Sequence, residues 1–228
     1  MKLALVGKDI SHSKSPEIYK KILGEKLQSY QLLDYPNGSL IPNLKELFQH
    51  YDGISITSPY KAHFLSQVKL VGCPLDILGI NVIRFRNNIF EGSNTDFIAI
   101  KALLKDLIEE IANKQIIILG DGVMSQITEL ALRELKVSYK VFSRKLTKNF
   151  TQLTFKNSFL INTCSRNYIF EGKIEENVIF WDYNYNLLPH EKNLPLVCTK
   201  YIDGISLLET QAKYAVEFWS ESNCLKSL

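Results

Sequence analysis

The sequence predicts an α/β protein whose second half is a doubly wound nucleotide-binding domain. Three observations carry that expectation. Short apolar runs alternate with helical patterns along the chain, as in an open parallel sheet with covering helices. One run, Gln115-Ile116-Ile117-Ile118-Leu119, leads at once into Gly120-Asp121-Gly122 and then a helical pattern from Ser125 to Leu135. Three polar clusters stand out between these elements: Ser11-His12-Ser13-Lys14-Ser15-Pro16, Ser55-Ile56-Thr57-Ser58-Pro59-Tyr60-Lys61 and Asn94-Thr95-Asp96. Together they supply hydroxyl donors, a cation and a carboxylate, the equipment for holding a polyhydroxy acid and moving a proton.

Taken in order, Lys2 to Val6 reads as a short buried strand. Pro16 to Leu23 reads as a helix with proline in its first turn and Gly24 at its end. Tyr30 to Leu33 is extended, Pro42 to His50 helical, and Gly53 to Thr57 a strand running into Pro59. Arg84 to Phe90 is the best hairpin, because Asn87-Asn88 at its centre tolerates positive φ. A long amphipathic helix is expected from Phe97 to Ile111, and the pattern change after Asp96 sets a domain boundary there. Beyond the glycine turn, Val137 to Phe142, Phe159 to Asn162 and Val178 to Trp181 supply strands, and Leu207 to Trp219 a closing helix before a polar tail. The chain shows no internal repeat and no low-complexity segment.

Composition narrows the function classes. The 228 residues are 46% hydrophobic and 22% charged, ordinary for a soluble globular protein with a substantial core. A net charge of +3, from 27 basic and 24 acidic side chains spread evenly, argues against a nucleic-acid partner, which needs a clustered basic face. Cys73, Cys164, Cys198 and Cys224 have no paired spacing, and neither they nor His12, His50, His63 and His190 form a metal-ligand pattern. Reduced thiols in a cytoplasmic protein are the reading that follows. Met1 to Val6 is too short for a signal peptide's apolar core, and no apolar run spans a bilayer, so no membrane association is expected.

Each candidate site residue also has a plainer reading. Gly120-Asp121-Gly122-Val123-Met124-Ser125 is a partial dinucleotide fingerprint, raised by the strand before it and the helix after it. Asp121 counts against it, since a carboxylate repels phosphate unless it points away. Ser143-Arg144-Lys145, with Lys148 one turn on, follows the next strand, where cations favour a ribose 2′-phosphate and hence NADP. Basic loops are otherwise usually solvated. Lys61 follows a strand end, where open sheets gather ligand groups, although a lysine after a loop is ordinarily solvent-facing. Asp96 lies in an Asn-Thr-Asp turn that could equally be a helix cap. Were the two to meet, Asp96 would orient Lys61 while the ammonium stabilises an alkoxide or donates its proton to it. Spacing alone does not pair them. Tyr183 and Tyr185 could line a cleft or sit at the surface, and Gln211 would ordinarily be a solvated helix position.

In order and nearly end to end, from Val6 to about Trp219, these segments resemble the shikimate dehydrogenase family. Its serine motif is similar to Ser13-Lys14-Ser15-Pro16, its lysine motif to Ser55-Ile56-Thr57-Ser58-Pro59-Tyr60-Lys61, and its aspartate motif to Asn94-Thr95-Asp96. Its closing signature is similar to Asp203-Gly204-Ile205-Ser206-Leu207-Leu208-Glu209-Thr210-Gln211-Ala212. The resemblance implies an N-terminal α/β substrate domain, residues 1–97 completed by a C-terminal helix within 205–228, and a Rossmann-type NADP-binding domain, residues 98–204. The active site would lie in the cleft between them. Lys61 and Asp96 would be the catalytic pair. Ser13 and Ser15 would hold the substrate carboxylate, and Thr57, Asn81, Asp96, Tyr185 and Gln211 would meet its hydroxyl and keto groups. Gly120, Gly122 and Val123 would cradle the pyrophosphate, Arg144 and Lys148 the 2′-phosphate, and Tyr183 and Gly204 would lie near the nicotinamide.

The implied reaction is reversible reduction of 3-dehydroshikimate to shikimate with NADPH, in the cytoplasm, on the route to aromatic amino acids; a homodimer is compatible with it. The chain departs from the family at several places. Ser55 replaces an asparagine, Gly79-Ile80-Asn81-Val82 replaces Ala-x-Asn-Thr, and Asp121, Val123 and Met124 replace small residues. Ser143-Arg144-Lys145 replaces Asn-Arg-Thr, and the chain is shorter than usual in its cofactor half. Two rival readings follow: a quinate/shikimate dehydrogenase with relaxed cofactor use, and a non-catalytic shikimate-binding relative with an eroded dinucleotide loop.

Overall fold

The computed structural model describes residues 1–143, 145 and 153–220. The chain divides into two units: residues 1–98 with the chain from 209 onward, and residues 99–208. Each is α/β.

The first unit opens with β1 (Lys2–Gly7), α1 (Ser15–Leu23), β2 (Ser29–Asp34), α2 (Leu44–His50) and β3 (Gly53–Ile56). β4 (Lys69–Leu70), β5 (Val82–Arg86) and β6 (Ile89–Ser93) complete a six-stranded sheet of order β2-β1-β3-β5-β6-β4. The run Leu3 to Val6 is buried on both faces, which is why it reads as continuous apolar sequence. β2, β1 and β3 are parallel, but β5 runs antiparallel to β3 and β6 antiparallel to β5, so the sheet is mixed where strand and helix alternation suggested a parallel one. The hairpin turns at Asn87 and Asn88, both at positive φ, as their sequence predicts.

α2 starts at Leu44, two residues after Pro42, because the Asn43 side chain caps it by accepting from the Glu46 amide at 3.1 Å. The helix expected from Phe97 to Ile111 instead starts earlier and breaks at Leu107, giving α3 (Thr95–Asp106) and α4 (Ile108–Ile111). No glycine or proline marks the break in the sequence.

The second unit carries β7 (Gln115–Leu119), α5 (Val123–Glu134), β8 (Tyr139–Phe142), β9 (Thr154–Phe155), β10 (Ser158–Asn162), β11 (Lys173–Ile174), β12 (Ile179–Asp182), α6 (Leu188–Val197) and β13 (Lys200–Ile202). Its main sheet is parallel throughout, in the order β13-β12-β10-β7-β8. Succession runs one way from β7 to β8 and the other way through β10, β12 and β13. The switch point therefore lies between β7 and β10, where doubly wound sheets place their ligands. α6 escaped the sequence reading because Pro189 opens it and Pro195 lies inside it.

α7 (Ile205–Ser220) closes the described chain. Its end completes the first unit: the Trp219 indole donates to the Ile83 carbonyl at 3.0 Å, and Arg84 donates to the Phe218 carbonyl. The Arg84 guanidinium also lies 4.2 Å over the Phe218 ring and pairs with Glu91 at 2.7 Å. A Cβ at Gly53 would come within 2.8 Å of the Trp219 ring, so the glycine makes room for that docking. No described helix is long and apolar enough to cross a membrane.

Candidate functional site

Sheet direction gathers the first unit's polar clusters. β1 and β3 are parallel, and β6, reached through two antiparallel steps, points the same way as β3. The segments after all three strands therefore leave from one edge of the sheet.

After β1, the loop to α1 is anchored by Asp34 at the end of β2, whose carboxylate accepts from the amides of Asp9 at 2.9 Å and Ile10 at 3.0 Å. The Ser13 hydroxyl donates to the Ser15 hydroxyl at 3.1 Å and accepts from the Ser15 amide at 3.3 Å. These two serines thus form one polar group at the helix start. The neighbouring loop packs closely: a Cβ at Gly7 would meet the Thr57 methyl at 2.6 Å. The Thr57 amide donates to the Val6 carbonyl at 2.9 Å.

Beyond Thr57 comes a cis Ser58–Pro59 bond and a short 3₁₀ turn, Tyr60–Ala62, that carries Lys61. The Lys61 ammonium donates to the Asp96 carboxylate at 2.6 Å, with each residue 8% exposed. Their pairing, which spacing left open, is present. Asp96 sits in the first turn of α3, where the helix dipole favours a carboxylate. Asn94 fixes that turn: its side chain accepts from the Phe97 amide at 2.8 Å and donates to the Gly79 carbonyl at 2.7 Å.

Beside the pair, Asn81 accepts from the Thr95 amide at 2.7 Å and donates to the Thr95 hydroxyl at 2.9 Å. The Gln211 side-chain carbonyl on α7 accepts from Asn81 and from the Thr95 hydroxyl, each at 3.2 Å. Gln211 is 8% exposed, and so is no ordinary solvated helix position. The structure thus brings Lys61, Asp96, Asn81 and Gln211 into one hydrogen-bonded neighbourhood, with Ser13, Ser15 and Thr57 on segments leaving the same sheet edge. Sequence reasoning gave no separate role to Thr95 or Asn94, which hold the others, nor to Tyr30, whose hydroxyl donates to Ser55 at 3.3 Å. Asn94 and Thr95 adjoin Asp96 in its motif, which was the available signal; Tyr30 offered none.

In the second unit, Gly120 ends β7 with φ of +120°, and a Cβ there would lie 2.6 Å from the Thr163 hydroxyl at the end of β10. This is the switch point, and only glycine fits both the backbone and the space. Gly122 caps α5 without a side-chain hydrogen bond, and nothing stands within 4 Å of where its Cβ would be. The fully buried Ser125 donates from its hydroxyl to the Gly120 carbonyl at 3.0 Å and fixes the turn. Val123 begins the helix. A turn of this form, with an open glycine before an uncapped helix start, fits a pyrophosphate. The Asp121 carboxylate pairs with Lys145 at 3.3 Å, which offsets its charge. Arg144 and Lys148 lie outside the described residues.

Tyr183 and Gly204 also meet in this unit: a Cβ on Gly204 would come within 2.3 Å of the Tyr183 carbonyl oxygen. The Tyr183 hydroxyl is 2.9 Å from that of Thr128 on α5. Tyr185 is half-buried, with Arg166 donating to its carbonyl at 2.5 Å. The start of this loop is held by Asp182, fully buried, which accepts from Asn162 at 3.0 Å and the Asn184 amide at 2.9 Å and lies 2.5 Å from the His190 ring nitrogen.

Residues 5–82 match the family model described as the shikimate dehydrogenase substrate binding domain. Among named relatives, the NADP(+)-dependent shikimate dehydrogenase of Methanococcus maripaludis is 24% identical, covering 96% of this chain and 91% of its own. That of Vesicomyosocius okutanii is 27% identical, covering 96% and 94%. Among solved structures, shikimate dehydrogenase from Aquifex aeolicus superposes with a TM-score of 0.76 at 22% identity, covering 96% of this chain and 92% of that one. The Thermus thermophilus enzyme, solved in complex with NADP(H) and shikimate, gives 0.74 at 22%, covering 96% and 93%. The solved structures share the α/β fold with a substrate domain and a Rossmann-like domain.

Proposed function

We propose that this chain is a member of the shikimate dehydrogenase family and catalyses the reversible, NADPH-dependent reduction of 3-dehydroshikimate to shikimate, a cytoplasmic step of aromatic amino acid biosynthesis. The observation that carries the reading is the buried Lys61–Asp96 pair at 2.6 Å, adjoining the Asn81, Thr95 and Gln211 network. A lysine held this way has its Nζ fixed in direction, and an ammonium is a donor suited to a ligand oxygen. Residues 1–97 with 205–228 act as the substrate domain and residues 98–204 as the cofactor domain.

In this reading, the Lys61 ammonium lies at the substrate's ketone oxygen. It stabilises the negative charge that grows there and passes a proton to it, giving the alcohol; in the reverse direction it takes that proton back. Asp96 accepts from Lys61 and from a ring hydroxyl, so one carboxylate orients both catalyst and substrate. Asn81 and Gln211 hold hydroxyls on the same ring, joined by Thr57 and Tyr185. The linked hydroxyls of Ser13 and Ser15 hold the carboxylate. NADPH supplies the hydride when bound. Gly120, Gly122 and Val123 hold its pyrophosphate at the start of α5, Arg144 and Lys148 its 2′-phosphate, and Tyr183 and Gly204 its nicotinamide end. That a solved relative binds NADP(H) and shikimate together supports this pairing of ligands.

Shikimate-dependent reduction of NADP, followed by nicotinamide absorbance with quinate and NAD in parallel, tests the proposal. Turnover with shikimate and NADP is the expected result. Turnover only with quinate would change the substrate, and none with any pairing would overturn the enzymatic reading.

A further inference from the structure

His190 is 1% exposed in the first turn of α6, and both of its ring nitrogens are engaged. The Phe170 backbone amide donates to Nε2 at 2.9 Å, so that nitrogen carries the lone pair and Nδ1 the proton. Nδ1 therefore donates to the Asp182 carboxylate, 2.5 Å away. An aspartate and a histidine in such contact could form a catalytic dyad, but a ring whose second nitrogen is taken by a backbone amide has none left for a substrate's proton. Its effect passes through Asp182.

Asp182 ends β12 and is fully buried, so its carboxylate needs its bonding capacity met within the protein. Oδ1 accepts from the Asn162 side chain at 3.0 Å, the Asn184 amide at 2.9 Å and the Asn184 side chain at 3.0 Å. Oδ2 takes His190, with the Tyr201 hydroxyl further off at 3.4 Å. Asn184 carries these bonds onward: its side chain donates to the Cys164 carbonyl at 3.1 Å, and its carbonyl accepts from the Gly204 amide at 3.0 Å. Arg166 ties the far end of the same loop, donating to the carbonyls of Tyr185 at 2.5 Å and Asn186 at 3.1 Å. The chain following β10, β12 and β13 is thus joined around one carboxylate, and the loop so shaped carries Tyr183 and Tyr185. Without His190, Oδ2 keeps one long bond; the carboxylate then turns or takes up a proton, and the donors that shape the loop lose their fixed acceptor.

We propose that His190 is a positioning residue for the nicotinamide end of the cofactor site: by fixing Asp182 it sets the backbone from Tyr183 to Tyr185 and the place of Gly204 beside it. The inference rests on the NADP reading above and adds to it a residue that touches no ligand.

Two substitutions separate the ring's two bonds. His190→Asn puts an amide N–H where Nδ1 stands, which keeps the donor to Asp182 and gives up the acceptor for Phe170. His190→Gln reaches the place of Nε2 with an amide oxygen, which keeps that acceptor and gives up the donor to Asp182. Each loses one hydrogen bond, so both should lower Tm. Calorimetric titration of NADPH and, separately, of 2′-phospho-ADP-ribose, which lacks the nicotinamide, into wild type and both variants reads the loop. The NADPH Kd is expected to rise roughly five- to tenfold in His190→Gln, as for loss of one hydrogen bond, and to stay within about twofold in His190→Asn. The Kd for 2′-phospho-ADP-ribose should hold in all three proteins, because the turn at Gly120 and Gly122 forms without this loop. NADPH affinity that is unchanged in both variants, or that follows Tm rather than the bond to Asp182, would make His190 structural and overturn the proposal. So would 2′-phospho-ADP-ribose weakened as much as NADPH. Each of these leaves the cofactor reading in place. No NADPH binding by the wild-type protein would instead remove the cofactor reading and this inference with it.

Discussion

Replacing Lys61 by alanine separates its two effects, on the reaction and on the fold. Loss of a single donor aimed at a developing oxyanion typically lowers kcat by about 10²–10³, or roughly 2.7–4 kcal/mol of transition-state stabilisation. Lys61→Ala should fall in that range, with the KM for shikimate changing far less. The same substitution leaves the Asp96 carboxylate, bonded at 2.6 Å in the native protein, without its cation. Breaking a fully buried pair costs about 3–5 kcal/mol. Here 9% of the Lys61 side chain and 12% of the Asp96 side chain still reach solvent, which places the cost at the lower end. At about 2–4 °C per kcal/mol for a chain of this size, Tm should fall by roughly 6–12 °C.

Lys61→Ala combined with Asp96→Asn removes the stranded charge. The double variant should regain most of the lost Tm and none of the lost kcat. Steady-state kinetics well below each Tm, with melting curves on the same preparations, read both quantities. A kcat within threefold of wild type for Lys61→Ala, or activity that returns with stability in the double variant, would reduce the pair to a structural ion pair and refute the catalytic assignment.

Other perturbations act on one unit at a time. Gly120→Ala places a Cβ 2.6 Å from the Thr163 hydroxyl on a backbone at φ +120°, so NADPH binding by calorimetry should weaken at least tenfold while shikimate affinity holds; unchanged NADPH affinity would show that the turn does not form the phosphate site. Arg84→Ala removes the Glu91 pair, the bond to the Phe218 carbonyl and the stacking on its ring, and should cost about 3–5 kcal/mol in chemical denaturation; a loss under 1 kcal/mol would show that α7 docks without it. Burial pushes the Cys198 thiol up to about 12 from an ordinary value of 9.0. The unfolded chain then loses that proton first, so the thiol's contribution to stability is full below pH 9.0 and is lost between there and about 12. Cys198→Ala should flatten this alkaline decline, and an unchanged slope in denaturation midpoints from pH 8 to 11 would refute it.

Much of this architecture is legible in the sequence because its strands are short apolar runs with clear stops. The run from Gln115 to Leu119, the glycine turn after it and the Asn87-Asn88 hairpin each state their geometry locally. The mixed first sheet was less visible, since alternation of strand and helix suggested parallel pairing throughout. Yet a parallel neighbour requires a crossover, and no α-helix forms between β3 and β5, so β5 enters antiparallel. The two-residue strands β4, β9 and β11 are too short for a period, and α6 is hidden by its prolines. The contact of Tyr30 with Ser55 has no local signature, because the two come from different strands of the fold.

The catalytic candidates show why topology, rather than motif, decides a site. Lys61 and Asp96 are separated by three strands and a long loop, and nothing in either motif names the other. The hairpin supplies the missing step. If β5 pairs antiparallel with β3, and β6 with β5, then β6 must end where β3 ends. The pairing is in register: Val82 lies opposite Ser55 on one side and opposite Ser93 on the other. One residue further, Asn81 accepts from the Ile56 amide at 2.8 Å and donates to the Ser93 carbonyl at 3.0 Å, joining the two strand ends. The lysine turn follows one end and the Asp96 turn the other. Asn87 and Asn88, far from the chemistry, thus fix the register that brings ammonium and carboxylate together. A one-residue insertion at that turn would slip β6 and turn its side chains to the opposite face. Lys61 and Asp96 would then part with no site residue altered, and kcat should fall as far as in Lys61→Ala while the second unit keeps its NADPH affinity. An insertion variant with near-native turnover would show that the pair is positioned by something other than the hairpin.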